Sequence, residues 1–266
     1  MMWGIVPAAG HGSRIQPLAF SKELLPVGSR RDGERERPRA VSEYLVERLV
    51  LGGADKVCFV ISPGKSDILQ YYGGEAFSAR VFYSVQPEPA GLCDAVFRAL
   101  PLIEPSEHVL VGLPDTIWFP PDALAALPND ALSFLLFPVE RPELFDAVVL
   151  EGEGDIQPGL SRLDVPIREI QVKDPHASSR WIWGAFKMPG AILGELHALW
   201  LARDRRDEYI GTLVNAWLAQ GGEAYGVRAG TSYVDVGTVR GYREAVMLLS
   251  EDVSELTTRH TSPQVG

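Results

Sequence analysis

The chain has 266 residues, of which 46% are hydrophobic and 23% are charged, and its formal net charge is −10. This composition is typical of a folded globular protein, and the length suits one large α/β domain or one domain with a small appendage. The acidic balance argues against a nucleic-acid partner, and no apolar run is long enough to span a membrane. The first residues predict a core strand rather than a signal peptide, and the two cysteines, Cys58 and Cys93, predict reduced thiols in a cytoplasmic protein.

A buried first strand, residues 5–9, leads into a turn with two glycines, Gly10 and Gly12. Glycine lets the backbone fold tightly, and the small side chains of Ala8 and Ala9 leave room for a ligand beside the backbone N–H groups. Two cations that suit phosphate oxygens follow at Arg14 and Lys22. Taken alone, this stretch leaves open an ordinary strand and turn with two surface charges.

The chain then alternates between predicted strands and helices. A charged segment, residues 28–38, predicts an exposed loop, and the apolar spacing after it predicts a helix over 41–51 that ends at Gly52 and Gly53. Further strands are predicted over 56–61, 81–85, 108–113 and 132–139, and helices over 67–72, 92–100 and 121–127. This alternation predicts a mostly parallel sheet with helices on both faces, and ligands bind at the carboxyl ends of the strands in such sheets.

The second half of the chain is less regular. Strands are predicted over 147–150, 167–173 and 181–188 without helices between them, which predicts a small antiparallel extension of the sheet. Helices over 190–202 and 209–220, a strand over 223–228 and a terminal helix to about residue 249 follow. The last residues, 253–266, lack apolar periodicity and predict a disordered tail.

Two lone carboxylates in apolar surroundings suggest a metal site. Asp115 follows a buried strand, where an unpaired carboxylate is costly, although a helix cap is the commoner use of such a residue. Asp235 lies in a second apolar setting, within Tyr-x-Asp-x-Gly-Thr. Mg²⁺ prefers oxygen ligands and keeps several waters, so two carboxylates together with substrate phosphates would suffice to hold it.

A proline-rich segment between Gln86 and Gly91 follows another predicted strand. Because a glutamine amide can both donate and accept, Gln86 can interact with the edge of a pyrimidine ring. Turning the amide over would suit cytosine, so this residue by itself leaves CTP open beside UTP and dTTP. A proline-rich turn with a solvated glutamine is the alternative interpretation.

These motifs, in this order, resemble the sugar-phosphate nucleotidylyltransferases, and most closely the bacterial enzymes that load glucose 1-phosphate onto UTP or dTTP. The similar elements are Gly-x-Gly-x-Arg at 10–14, Lys22 with Leu-Pro-Val at 25–27, Pro-Asp at 114–115 and Asp-x-Gly-Thr at 235–238. The resemblance implies an α/β fold with a Rossmann-like three-layer arrangement, in which a mixed, mostly parallel sheet carries a small antiparallel extension. It also implies a single domain over 1–252, with a nucleotide-binding part over about 1–140 and a sugar-binding part over about 141–252.

The resemblance assigns roles to residues on the nucleotide side. Arg14, Lys22 and Asp115 would be catalytic, and Asp115 and Asp235 would hold Mg²⁺. The nucleotide-binding residues would be Ala8, Ala9, Gly10, Gly12, Gln86 and Gly91. The implied partners are a nucleoside triphosphate and a sugar 1-phosphate, without nucleic acid or membrane, and a homo-oligomer is left open.

On the sugar side the resemblance implies roles for Lys173, Gly184 and Phe145. Two positions differ there from the family: Val172 replaces a glutamate that contacts a sugar hydroxyl, and Asp146 replaces a glycine beside the sugar. We therefore expect the sugar to be the substrate in which this protein differs from its relatives. An inactive regulatory relative and a glycosyltransferase remain as alternatives, although the Asp-x-Asp motif of many glycosyltransferases is absent at Asp115.

Overall fold

A computed structural model describes residues 1–152 and 164–260. The strands are β1 (Met2–Pro7), β2 (Pro26–Asp32), β3 (Arg35–Ala40), β4 (Lys56–Ile61), β5 (Glu75–Ala76), β6 (Ala79–Val85), β7 (His108–Gly112), β8 (Thr116–Phe119), β9 (Leu132–Pro138), β10 (Asp146–Leu150), β11 (Asp164–Val172), β12 (Trp181–Pro189), β13 (Ala224–Val227) and β14 (Ser232–Asp235). The helices are α1 (Val41–Leu51), α2 (Ser66–Tyr72), α3 (Gly91–Phe97), α4 (Gly190–Ala202), α5 (Ile210–Leu218) and α6 (Val239–His260).

A 10-stranded sheet in the order β10-β11-β13-β9-β12-β7-β1-β4-β6-β5 forms the centre of the fold. Its first-half strands β6, β4, β1 and β7 are parallel neighbours. Successive residues of β1 point to opposite faces, so Ile5 joins the apolar core beneath α3, α4 and α5 while Val6 joins the core beneath α1 and α2. Helices therefore cover both faces, which explains why these strands are continuous apolar runs.

The sheet is mixed, as predicted, but the prediction that it is mostly parallel is wrong. Strand β12 lies antiparallel between β7 and β9, and β11 is antiparallel to both β10 and β13. Successive strands of the second half lack the helical crossover that a parallel connection requires, so they pair in opposite directions. The antiparallel part is therefore a large share of the sheet rather than a small extension.

The charged segment 28–38 forms a β-hairpin and not the predicted irregular loop. Strands β2 and β3 pair from Asp32 and Arg35 down to Pro26 and Ala40, around a two-residue turn in which Gly33 has φ 63°. The hairpin is anchored to α1 by three arginines around the buried carboxylate of Glu43, at 2.6, 3.6 and 4.0 Å. Those arginines are Arg37, Arg30 and Arg39. The segment is exposed, as predicted, but it is ordered by charge pairing.

Four other elements differ from the predictions. Strands β8 and β14 were not predicted, and they form a separate antiparallel pair. The predicted helix over 121–127 is only a short 3₁₀ turn, Ala123–Ala126. Helix α6 continues past its predicted end to His260, across part of the predicted disordered tail; residues 261–266 lie outside the described ranges. Across the described residues, no helix is long and apolar enough to cross a membrane.

Candidate active site

The glycine-rich turn continues from β1 at the carboxyl edge of the parallel strands. The backbone N–H of Ala8 donates to the Val60 carbonyl at 2.8 Å, which keeps the turn aligned with β4. Gly12 has φ 66°, and a Cβ there would lie 2.6 Å from Cδ of Lys22. Only glycine therefore allows the turn and the Lys22 side chain to occupy this space together.

A largely buried lysine that sequence analysis missed contacts the backbone of this turn. Lys65 Nζ donates to the carbonyls of Ala8 and Gly10, both at 2.7 Å, and to the two carboxylate oxygens of Glu23 at 2.7 and 2.8 Å. Glu23 is completely buried. Because the two carbonyls point toward Lys65, their orientation is fixed from the protein interior. Nothing local in the sequence indicates this contact, since Lys65 and Glu23 are 42 residues apart.

Each predicted catalytic cation pairs with one predicted metal-binding aspartate. Lys22 Nζ lies 2.5 Å from Asp115 Oδ2, and both side chains are largely buried. Arg14 Nη1 donates to Asp235 Oδ2 at 2.9 Å, and the Arg14 side chain is 60% exposed. The structure thus brings together all four residues, although they come from distant parts of the chain.

The pairing of β8 with β14 brings the two aspartates together. Asp235 lies opposite Thr116 in this pair, and the Val236 N–H donates to the Asp115 carbonyl at 2.8 Å. A Cβ at Gly237 would lie 2.6 Å from Asp115 Oδ2 and 2.9 Å from Asp235 Oδ1. Both carboxylates therefore border the small space that the missing side chain of Gly237 leaves, and Arg14 Nη2, at 3.2 Å from the same point, borders it too.

This arrangement fits a hard divalent cation whose remaining ligands come from a substrate. Two carboxylate oxygens face one point, and oxygen is the ligand that Mg²⁺ prefers. Within residues 1–152 and 164–260, no cluster of three or more His, Cys, Asp or Glu side chains could hold a metal. Asp115 and Asp235 could thus hold Mg²⁺ only together with waters or phosphate oxygens.

The Lys22–Asp115 pair keeps both groups charged despite their burial. Burial lowers the pKa of Lys22, but the charges of Asp115 and Glu23 outweigh it, so the net pKa is raised. Burial likewise raises the pKa of Asp115, but the charge and hydrogen bond of Lys22 outweigh it, so the net pKa is lowered. Lys22 therefore stays protonated, and Asp115 stays ionised, beside the glycine-rich turn across the neutral pH range.

Gln86 follows β6, which lies two strands from β1 along the same edge of the sheet. Its Nε2 donates to Asp94 Oδ2 at 2.8 Å and to the Gly91 carbonyl at 3.1 Å. Both amide hydrogens are thus used inside the protein, so the predicted donation from Gln86 to a base is not available in this arrangement. Gly91 has φ 85°, and a Cβ there would lie 2.7 Å from Cα of Glu208. Only glycine therefore lets the backbone at this position pack so closely against the backbone of Glu208.

Two of the predicted sugar-side residues, Phe145 and Gly184, lie beside Tyr233, which sequence analysis did not single out. The Phe145 ring packs edge-on against the Tyr233 ring, with centroids 5.7 Å apart. A Cβ at Gly184 would lie 2.8 Å from the Tyr233 ring, so Gly184 makes room for that ring. Lys173 Nζ donates to the Leu144 carbonyl at 3.2 Å, and its side chain is half exposed.

Comparisons with known proteins show what the chain is similar to. A family model described as nucleotidyl transferase matches residues 3–157. The chain is 31% identical over 137 residues to a Bacillus subtilis protein named for a UTP–glucose-1-phosphate uridylyltransferase activity, covering 43% of this chain and 47% of that protein. It is 27% identical over 156 residues to a glucose-1-phosphate thymidylyltransferase of Neisseria meningitidis, covering 55% and 51%. The chain therefore spans about half the length of these curated relatives.

The fold has relatives among solved structures. A UTP-bound UGPase from Acinetobacter baumannii superimposes with a TM-score of 0.74 at 20% identity, over 97% of this chain and 99% of that one. At this level of identity the likeness shows the α/β fold alone.

Proposed function

Because the chain belongs to the nucleotidyl transferase family, we propose that it transfers a nucleotidyl group from UTP or dTTP to a sugar 1-phosphate, with release of pyrophosphate. One observation carries the proposal: two cation–carboxylate pairs, Lys22–Asp115 and Arg14–Asp235, meet beside a glycine-rich turn at the carboxyl edge of the sheet. The relatives named for uridylyl and thymidylyl transfer support the choice of triphosphate.

In the proposed reaction, an oxygen of the sugar phosphate forms a bond to the α-phosphorus while the bond from that phosphorus to the β-phosphate oxygen breaks. The attacking oxygen is already anionic at neutral pH, so the step requires no general base. The task of the protein is therefore to position the reactants and to neutralise charge.

Different residues would position the triphosphate and neutralise its charge. The backbone of the turn formed by Gly10 and Gly12 would receive the triphosphate, and Lys22 and Arg14 would stabilise the charge that grows on the leaving pyrophosphate. Mg²⁺ held by Asp115 and Asp235 would neutralise part of the charge on the phosphates when bound.

The sugar phosphate would approach from the second half of the chain. Lys173 is half exposed and lies 3.8 Å from Asp146, and its ammonium would contact the incoming phosphate. Phe145 packs edge-on against Tyr233. We expect the two substrates to contact different residues, so that different substitutions affect the binding of each.

Pyrophosphate release tests the proposal directly. The purified protein with Mg²⁺ is assayed against a grid of sugar 1-phosphates and five triphosphates: UTP, dTTP, CTP, ATP and GTP. We expect UTP or dTTP to give the highest kcat/KM with at least one sugar 1-phosphate. ATP or GTP as the best substrate would contradict the assignment of the base, and no pyrophosphate from any pair would contradict the activity.

A further inference from the structure

Asp67, the second residue of α2, holds the chain immediately before Lys22. Its Oδ2 accepts a hydrogen bond from the Ser21 N–H at 2.7 Å, and its Oδ1 accepts one from the Ser21 hydroxyl at 2.6 Å. Burial raises the pKa of the Asp67 carboxyl, but hydrogen bonds, chiefly the two from Ser21, outweigh it, so the net pKa is lowered. An ionised carboxylate that accepts two hydrogen bonds from one residue fixes both the position and the orientation of that residue.

Ser21 is the point at which an exposed stretch of chain returns to the protein interior. Residues 13–20 are exposed or half-buried and include no helix or strand, whereas Ser21 is 7% exposed. A short 3₁₀ turn, Lys22–Leu24, begins directly after Ser21, and the Leu24 N–H donates to the Ser21 carbonyl at 2.8 Å. Because the exposed stretch has no regular structure, the place of Lys22 depends on how Ser21 is held.

The residue after Lys22 is held by the same segment of chain. Lys65, which directly precedes α2, donates to the two carboxylate oxygens of Glu23 at 2.7 and 2.8 Å. Lys65 and Asp67, two residues apart, thus bind the two neighbours of Lys22. Each neighbour is held through a charged group, so the backbone of Lys22 is fixed from both sides.

We infer that Asp67 is a positioning residue for Lys22 in the nucleotidyl transfer. Through Ser21 it fixes the backbone from which the Lys22 ammonium reaches Asp115, 2.5 Å away, and the leaving pyrophosphate. This inference rests on the proposed function. Misplacing a reacting or stabilising group by about 1 Å can slow a reaction by about a hundredfold, so these hydrogen bonds should affect the chemical step.

The first test is a pair of substitutions at Asp67. Asp67→Ala should lower kcat by about ten- to a hundredfold and change the KM for the sugar phosphate by less than about threefold. Asp67→Asn should stay within about fivefold of the wild type, because its oxygen can accept from the Ser21 N–H while the serine hydroxyl accepts from its amide nitrogen. An Asp67→Asn variant as slow as Asp67→Ala would overturn the inference, since the charge of Asp67 and not its hold on Ser21 would then matter.

A double-mutant cycle with Lys22 separates positioning from a general effect on the fold. In the Lys22→Ala background no ammonium remains to be positioned, so Asp67→Ala should lower kcat further by less than about twofold. Asp55→Ala is the control, because Asp55 Oδ1 also accepts a backbone N–H, from Met2 at 3.0 Å, at the amino end of β1. It should leave kcat close to that of the wild type. A loss from Asp67→Ala that is equally large with and without Lys22 would overturn the inference.

Chemical labelling of lysines tests the hold on Lys22 without catalysis. The full chain is reductively methylated, and the extent of methylation at each lysine is measured by mass spectrometry. Lys22 and Lys56 are a matched pair, because their side chains are 13% and 12% exposed and each ammonium pairs with a carboxylate. Asp67→Ala should speed labelling of Lys22 by about fivefold or more and leave Lys56 unchanged. If Asp67→Ala does not fold, Ser21→Ala removes one of the two hydrogen bonds and should give a smaller increase at Lys22 alone.

The outcomes separate this inference from the proposed function. An active wild type, together with a variant in which Lys22 labelling is unchanged or rises equally at Lys56, would overturn the inference alone. If the wild type forms no product with any sugar 1-phosphate, the proposed function fails, and the catalytic part of the inference fails with it.

Discussion

The side-chain Nε2 of Gln86 donates a hydrogen bond to Asp94 Oδ2 at 2.8 Å. Arg98 donates two hydrogen bonds to the same carboxylate, at 3.1 and 3.2 Å. The Gln86 side chain therefore has one favoured orientation. Turning its amide over would bring Oε1 against a carboxylate oxygen, and two acceptors repel each other. Gln86 is 3% exposed, and only its Oε1 is left for the proposed contact with a base. That oxygen would accept from the N3–H that uracil and thymine carry and cytosine lacks.

We therefore predict that Asp94→Asn relaxes the choice among pyrimidines. Asparagine can offer either a donor or an acceptor to Gln86, so both orientations of the amide become accessible. The ratio of kcat/KM for UTP over CTP should fall by about tenfold or more. Arg98→Met is the control, because it removes the ion pair but keeps the acceptor, and it should preserve the ratio. A wild-type preference for CTP would contradict this account of Gln86.

Replacing Lys65 with methionine should have two effects, one on the conformation of the glycine-rich turn and one on the stability of the fold. Without its ammonium, the carbonyls of Ala8 and Gly10 lose their donor, so the KM for the triphosphate should rise. The buried carboxylate of Glu23 would also lose its partner, which should cost about 3–5 kcal/mol in the free energy of unfolding.

The double variant Lys65→Met with Glu23→Gln separates these effects. It removes the buried charge and should recover most of the stability in chemical denaturation, but it should leave the raised KM in place. If KM recovered together with stability, Lys65 would have only a structural role.

Gly237→Ala tests the space between the two aspartates. The added methyl group would lie 2.6 Å from Asp115 Oδ2, closer than unbonded atoms allow, so a carboxylate must move. We expect turnover to fall by about a hundredfold and the Mg²⁺ concentration for half-maximal activity to rise. Gly194→Ala in α4 is the control, because a methyl group there meets nothing within 4 Å, and it should leave both values unchanged. Full activity of Gly237→Ala, or of the wild type in EDTA, would contradict the metal site.

The basic residues should separate into two kinetic classes. Arg14→Ala and Lys22→Ala should lower kcat more than they weaken triphosphate binding, because charge on pyrophosphate grows in the transition state. Lys173→Ala should chiefly raise the KM for the sugar phosphate. Steady-state kinetics with each substrate varied in turn measures the difference. A Lys173→Ala variant that weakened triphosphate binding alone would contradict the division of the site into two parts.

Two elements with clear local boundaries were predicted with their observed ends, whereas β1 spans Met2–Pro7 rather than the predicted 5–9, and α3 spans Gly91–Phe97 rather than 92–100. Helix α1 and strand β4 have their predicted ends because a pair of glycines separates two clear apolar patterns. The β2–β3 hairpin was missed because its many charged residues favoured a solvated loop, although Gly33 occupies the first position of its two-residue turn, where one common hairpin turn prefers glycine.

The contacts that complete the site join residues that are distant in the chain, and no local pattern encodes them. Asp115 and Asp235 are brought together by β8 and β14, two short strands whose pairing the sequence does not indicate. The contact between Gln86 and Asp94 is close in sequence, yet it depends on the left-handed backbone at Gly91. Motifs thus single out individual candidate residues, whereas the residues that each of them contacts are set by the fold.

Tracing the α-phosphorus tests the central claim most directly. The protein is incubated with Mg²⁺, a sugar 1-phosphate and UTP or dTTP labelled at the α-phosphorus, and the products are separated. The account predicts that the label appears in a nucleotide-sugar, only when sugar phosphate is present, with an equal amount of unlabelled pyrophosphate. Label recovered in free nucleoside monophosphate, or label that stays in the triphosphate with every sugar 1-phosphate tried, would contradict it.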